Sequence, residues 1–385
     1  MEYLERHLSD RCTKETSYGD AFIPSGVHVP FSKYMEILNK LTLKEPDCKI
    51  YKKVLQNWDS IAKPLDGMGR FETITAQIGA ILGTDEIDIS KKAVIIMCAD
   101  NGIVEEGISQ SGQEVTAAVA GQMGKGVSSI GKMAAEIGAD TIPVDIGING
   151  KEQIAGVLNR KIRLGTRNFR MEPAMTREEA VRAIFTGIEI VEECKRKGYQ
   201  ILAAGEMGIG NTTTSSAVAA ALLRCGTDAV TGRGAGLCDK KLQRKKQVIR
   251  EAVKKYKLYE ADPLTVLETV GGLDIAGLAG VFIGGGVFHI PIVLDGVISM
   301  TAALLSERLV QGTIQYLIPS HKSKEPAAEK LMKELKLEPV IDGRMALGEG
   351  TGAVMMLSLL EMALCVYRKR TLFSDIKVEQ YERYS

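Results

Sequence analysis

Gln200-Ile-Leu-Ala-Ala-Gly-Glu-Met-Gly-Ile-Gly-Asn-Thr-Thr-Thr-Ser-Ser216 joins a short apolar run to a glycine-rich turn and then to a run of hydroxyl side chains. Ile201 to Ala204 has the length and character of a buried strand, and Gly205, Gly208 and Gly210 break it before an alanine-rich helix. A strand, a glycine turn and a helix N-terminus let backbone N–H groups approach an anion, and the helix dipole favours negative charge there. Thr212 to Thr214 can cap the helix or donate to phosphate oxygens. The stretch therefore predicts a site for a phosphate-bearing small molecule. Gly208-x-Gly210-x-x-Thr213 lacks the third glycine of the dinucleotide fingerprint, and the Walker pattern is absent. Glu206 inside the turn opposes an anion unless it serves the chemistry or orients a neighbour.

A chain of 385 residues exceeds the usual single core, so two unequal domains, or one α/β domain with an appendage, are expected. With a formal net charge of +1 and only 5% aromatic residues, no interleaved basic and stacking surface is available for nucleic acid. The seven cysteines are odd in number and widely spaced, with neither Cys-x2-Cys nor a Cys/His cluster, which argues against a disulfide frame or a zinc site and for a cytoplasmic location. The charged start, Met1-Glu-Tyr-Leu-Glu-Arg-His7, does not read as a signal peptide. The longest apolar run, Gly277 to Leu305, is broken by Gly284 to Gly286, His289, Pro291 and Asp295, so it reads as two buried helices and a strand rather than a membrane span.

Ala93 to Ala99, Thr141 to Ile146, Ile201 to Ala204, Ile290 to Leu294 and Ile314 to Ile318 read as strands. Helical patterns stand between them over Glu114 to Ile137, Met175 to Gly198 and Asp239 to about Tyr256. This alternation predicts an α/β fold with a doubly wound, mainly parallel sheet. We expect a Rossmann-like nucleotide-binding domain over residues 91–335. A smaller helical domain is expected from both chain ends, residues 1–90 and 336–385. Four of the strands run at once into an acidic residue, Asp100, Asp145, Glu206 or Asp295. Such turns lie at the carboxyl ends of the strands, where open α/β sheets bind ligands.

Leu347-Gly348-Glu349-Gly350-Thr351-Gly352 sets one carboxylate among glycines, just before an apolar helix. A flat ligand can approach such a glutamate closely, and apolar neighbours would raise its pKa towards the range useful to a general base. The plainer alternative is an acid that complements a helix dipole. Gly205-Glu-Met-Gly-Ile-Gly-Asn-Thr-Thr213, Gly232-Arg-Gly-Ala-Gly-Leu237 and Leu347-Gly-Glu-Gly-Thr-Gly-Ala353 occur in that order. Together they resemble the nicotinate-nucleotide:dimethylbenzimidazole phosphoribosyltransferase family of cobamide lower-ligand synthesis. Asp100-Asn-Gly102, Gln113-Glu-Val-Thr116, Gly165-Thr-Arg-Asn-Phe169, Leu294-Asp-Gly296 and Ser320-His-Lys-Ser-Lys-Glu-Pro326 match further blocks of that family, from about residue 55 to about 366.

The resemblance implies transfer of phosphoribose from nicotinate mononucleotide to an azole nitrogen, with inversion at the anomeric carbon. The products would be an α-ribotide and nicotinate, with no cofactor and no metal. It implies Glu349 as general base and ties Glu206 and Lys245 to catalysis, although on sequence alone Lys245 reads as one lysine among several on a solvated helix face. It further implies that Gly208, Gly210, Asn211, Thr212, Thr213 and Gly234 hold the nucleotide and that Ser111 and Leu347 stand near the acceptor ring. Asp100, Asp295 and Ser320 are ribose or supporting candidates, while His28, His289 and His321 read as structural, His321 being the one inside a family block. The implied partners are the nucleotide and an aromatic acceptor base, without membrane or nucleic acid, in a homodimer or in a heterodimer with a paralogue. Departures occur at Lys63-Pro-Leu-Asp-Gly-Met-Gly69, Asn101, Ser111-Gly112-Gln113 and Glu325-Pro326-Ala327-Ala328, which leaves acceptor choice open. A phenolic acceptor, an inactive nucleotide-binding partner subunit and a nicotinamide-dependent oxidoreductase are the alternatives.

Overall fold

The computed structural model describes residues 30–383, so readings that involve residues 1–29, His28 and Cys12 among them, lie outside the described residues. Helices α1 (Phe31–Lys40), α2 (Cys48–Ser60) and α3 (Arg70–Leu82) precede strand β1 (Lys92–Ala99). Then follow α4 (Glu114–Gly124), α5 (Ser129–Glu136), β2 (Asp140–Gly147), β3 (Leu158–Asn159), α6 (Arg177–Arg196), β4 (Ile201–Met207) and α7 (Asn211–Leu222). The rest comprises α8 (Asp239–Lys255), α9 (Pro263–Val270), α10 (Leu273–Val287), β5 (Ile292–Val293), α11 (Val297–Leu309), β6 (Leu317–Ile318), α12 (Ala327–Leu335) and α13 (Thr351–Arg368).

The six strands form one sheet in the order β3-β2-β1-β4-β5-β6, every neighbouring pair parallel. The order reverses between β1 and β4, and the register that sets Met97 beside Glu206 brings their carboxyl ends level. In an open parallel sheet that crevice is where a ligand is received. Side chains alternate across the sheet as strand geometry requires. Ala93, Ile95, Met97, Leu202 and Ala204 enter the core shared with α6, α7, α10 and α11. Val94, Ile96, Cys98, Ile201 and Ala203 enter the opposite core, shared with α2, α3, α5 and α13.

Helices from the two chain ends therefore meet on one face of the sheet. The Trp58 and Tyr367 rings lie 5.2 Å apart, Trp58 Nε1 donates to Thr75 Oγ1 at 2.8 Å, and the Tyr367 hydroxyl donates to the Asp85 carbonyl at 2.8 Å. Trp58 is fully buried, so truncating it to alanine would cost about 3–5 kcal/mol. The chain after α13 returns to the same place: Leu372 bridges Ile61, and Arg383 pairs with Asp59 and Asp66.

The helix expected over Glu114 to Ile137 is two helices. Gly126 takes a left-handed φ of 71°, and the Ser128 hydroxyl accepts the Gly131 N–H at 3.1 Å to start α5. The strand expected from Ile314 is instead a 3-10 turn over Thr313–Tyr316 followed by the two residues of β6. Helix α13 is, by length and composition, long and apolar enough to cross a membrane, but 56% of that stretch is buried inside the protein, against the sheet.

Candidate active site

Several chain segments converge at the carboxyl ends of β1, β4 and β5. From β4 comes Glu206, buried, with the Asn211 carboxamide donating to its Oε2. Burial pushes the Glu206 carboxyl well above the ordinary range, and Asp274, Asp295 and Glu349 push it further the same way. The next residues turn through Gly208 and Gly210, and Gly210, with φ 95°, is the N-cap of α7. No side chain caps this helix. Thr214 Oγ1 donates back to the Asn211 carbonyl at 2.8 Å, Ser216 Oγ to the Thr212 carbonyl at 2.8 Å, and Ser215 Oγ lies 2.8 Å from Thr301 Oγ1. Of the hydroxyl run, Thr212 and Thr213 are not committed in this way, and Thr213 Oγ1 is buried without a partner.

Lys245 overturns the solvated-face reading. It is completely buried, and its Nζ donates to Thr212 Oγ1 at 2.9 Å. Burial lowers its pKa to about 8, and facing Glu325 opposes that fall. Glu325 stands in a family block and at a departure from the family pattern but carries no role in the sequence reading, and its carboxylate accepts the Gly234 N–H at 3.0 Å. A Cβ at Gly234 would stand 2.7 Å from Thr212 Oγ1, so the second glycine loop lies directly on the first turn of α7. Together they form a cation, a hydroxyl pair and a helix N-terminus able to take a phosphate dianion.

Glu349 arrives from the other side of the sheet, in a left-handed conformation with φ 62° between Gly348 and Gly350. Asp295 holds it there. Its Oδ2 accepts the Gly350 N–H at 3.1 Å, and its Oδ1 accepts those of Gly352 and Ala353 at 2.8 and 3.3 Å, so both oxygens are spent on the N-terminus of α13. Asp295 thus anchors the loop that carries Glu349, and the Ser320 hydroxyl beside it lies 3.1 Å from His321 Nδ1 and 3.4 Å from the Asp295 carbonyl. Strand β4 lets the loop approach: a Cβ at Gly205 would lie 2.6 Å from the Glu349 carbonyl oxygen. Burial raises the Glu349 carboxyl, Asp295 adds to the rise and the Ile130 N–H at the start of α5 opposes it; Oε2 is buried without a partner.

Asp100 lies in the same crevice, its Oδ2 accepting the Asn149 N–H at 2.8 Å. Ser111 and Leu347 are exposed, on the rim rather than in the buried cluster. The Ser111 loop is tied to the second glycine loop and α8, because Gln110 donates to the Gly236 carbonyl and Lys241 Nζ to the Ser109 carbonyl at 2.7 Å. His289 is held by the Tyr316 hydroxyl at 3.1 Å, away from this cluster. Sequence reading also missed Asp274, which is fully buried at the start of α10 beside Asn101. Its signal was a lone ionisable residue in a 15-residue apolar helix, preceded by two glycines.

A family model described as a phosphoribosyltransferase matches residues 43–378. The nicotinate-nucleotide–dimethylbenzimidazole phosphoribosyltransferase of Acetivibrio thermocellus is 46% identical over 329 residues, covering 86% of this chain and 94% of its own length. The protein of the same name from Clostridium acetobutylicum is 44% identical over 336 residues, covering 87% and 96%. Among solved structures, CobT from Thermus thermophilus superposes with a TM-score of 0.82 at 34% identity, over 86% of this chain and all of that one.

Proposed function

The chain belongs to the nicotinate-nucleotide–dimethylbenzimidazole phosphoribosyltransferase family, and on that premise we propose how its residues carry the transfer for cobamide synthesis, from nicotinate mononucleotide to an aromatic lower-ligand base. The observation that supports the reading best is the meeting of Glu349 with Glu206 beside a phosphate cradle that contains a buried lysine. The nucleotide phosphate lies against Gly208, Gly210, Thr212, Thr213 and Lys245, with Asn211 and Gly234 framing the turn. Its anomeric carbon then stands over the end of β4. The bond from that carbon to the pyridinium nitrogen breaks with its electron pair going to nitrogen, so nicotinate departs without needing a proton. The lone pair of the acceptor nitrogen attacks from the opposite face, and Glu349 takes the proton from the other azole nitrogen. The product is an α-ribotide 5′-phosphate. Glu206, at the end of β4, hydrogen-bonds the ribose, and Ser111 and Leu347 face the acceptor from the rim.

Of the small helical domain expected from both chain ends, the described helices α2, α3 and α13 serve to present Glu349 to residues 91–335. We place the enzyme in the cytoplasm as a homodimer, with a paralogue as the alternative partner. An inactive partner subunit would have no use for a carboxylate held in this way.

The test is product formation from nicotinate mononucleotide with dimethylbenzimidazole, benzimidazole, adenine and phenol side by side, in wild type and Glu349→Gln, read by mass spectrometry. We expect an α-ribotide from the azole class and a loss in the variant of about 10²–10⁴-fold, the usual size of general-base catalysis. Product from phenol alone would reassign the acceptor. Full turnover by Glu349→Gln would remove the base from the scheme.

A further inference from the structure

Asp274 is the only ionisable side chain in α10, and it lies wholly buried in the first turn of that helix, behind the glycine turn that follows β4. Its Oδ1 accepts the Ile275 N–H at 2.9 Å, and the Asn101 carboxamide stands 3.5 Å from Oδ2. A Cβ at Gly208 would lie 2.7 Å from Oδ2 and one at Gly272 2.2 Å from Oδ1, so the space around the carboxyl group is kept clear on both sides. The α10 dipole further favours a negative charge at this point. Glu206 is less well provided. Its hydrogen-bond donor is the Asn211 carboxamide, and it faces three carboxyl groups, Asp274, Asp295 and Glu349. Asp100 also faces Asp274, and the buried Cys98 thiol of β1 faces both. Lys245 gives them no counter-charge bond, since its Nζ is committed to Thr212 and faces Glu325.

We propose that Asp274 is a positioning residue of the transfer site, which takes the negative charge of this buried carboxyl pair and so keeps Glu206 a neutral acid able to donate a hydrogen bond into the cleft. Two carboxyl groups in one dry site do not both ionise readily, and the one with more donors ionises first. The environments agree: Asp274 is raised to about 7, whereas Glu206 is pushed well above the ordinary carboxyl range. A neutral Glu206 also removes the conflict posed by a carboxylate inside an anion cradle. The inference rests on the transfer reading only for the use to which that proton is put.

The test is a carboxyl ¹³C titration of the full chain labelled at glutamate Cδ, with the Glu206 resonance identified by its absence from Glu206→Gln. In wild type we expect that resonance to keep the position of a protonated acid through neutral pH. In Asp274→Asn, which preserves shape and removes the charge, it should titrate lower by about one pH unit or more. A wild-type Glu206 already ionised at about pH 6, or identical titrations in the two proteins, overturns the proposal; the pH is chosen well above the free glutamate value of about 4.3. If Asp274→Asn does not fold, the wild-type titration decides alone. The acceptor assay run on the same samples separates the two ideas: wild type without product counts against the transfer reading, whereas the resonance reports the proton without turnover.

Discussion

Replacing Asp295 by alanine tests the architecture of the site more sharply than replacing the base. The carboxylate accepts three backbone N–H groups, those of Gly350, Gly352 and Ala353, at the start of α13. Loss of a helix N-cap costs about 0.5–2 kcal/mol, and a donor left dry costs about 1–3 kcal/mol more. All three donors are backbone groups of buried residues, so Asp295→Ala should destabilise by about 2–5 kcal/mol, read as a lower urea midpoint at unchanged slope. Glu349 is chained directly to Gly350. A misplacement of about 1 Å at a reacting group costs about 10²-fold, so kcat should fall by about that factor in protein that remains folded. The nucleotide KM should barely move, because the cradle is built on β4, α7 and α8. Asp295→Asn keeps an oxygen for Gly352 and Ala353, loses the acceptor for Gly350 and should lie between the two. An unshifted urea midpoint, or a large rise in nucleotide KM with kcat intact, would refute the reasoning and put Asp295 against the ribose instead.

Lys245 should make nucleotide binding pH-dependent. Its ammonium is depressed to about 8, so affinity for nicotinate mononucleotide should weaken as pH rises through about 8. The sign for stability is opposite: between about 8 and the unfolded lysine value the unfolded chain holds the proton and the folded one does not, so the nucleotide-free protein gains stability with rising pH there. Calorimetric binding and urea midpoints measured across that range check both signs. Thr213→Val removes a hydroxyl that is buried without a partner in the protein; stability should hold or rise while the nucleotide KM climbs about tenfold, equivalent to about 1.4 kcal/mol. Gly352→Ala would put a Cβ 1.9 Å from His321 Nδ1, a clash with a buried imidazole ring costing about 1–3 kcal/mol in thermal or urea unfolding and lowering kcat through the same loop.

The sheet was legible because its central strands are long enough to show their pattern. Ile95 to Met97 and Leu202 to Ala204 are apolar on both faces, as a strand covered by helices on both sides must be. β3, β5 and β6 are two residues each, too short to present a period, so their bounds were missed or overdrawn. Pattern alone makes Lys245 look solvated for a related reason, and only the family resemblance sets it apart. Helix α8 carries a run of lysines and arginines, and only the packing of the second glycine loop against Thr212 shows which of them is buried. That contact is between segments far apart in the chain and leaves no local trace.

The acidic residues that close the strands separate by what their oxygens are spent on. Asp145 accepts the Ile148 N–H at 2.9 Å and pairs with Lys161 at 2.8 Å, which makes it a turn acid with a counter-ion. Asp295 is used up on three N–H groups of α13. Asp100 accepts the Asn149 N–H and so pins the loop after β2. Each of these acids receives backbone donors or a cation, which offset part of the cost of its burial. Glu206 has neither: it is buried, faces three other carboxyl groups and receives one carboxamide. A sequence places the same residue type at the end of all four strands and cannot distinguish them. The distinction lies in the surroundings, and a buried acid left without such support is the one whose retention calls for a chemical reason.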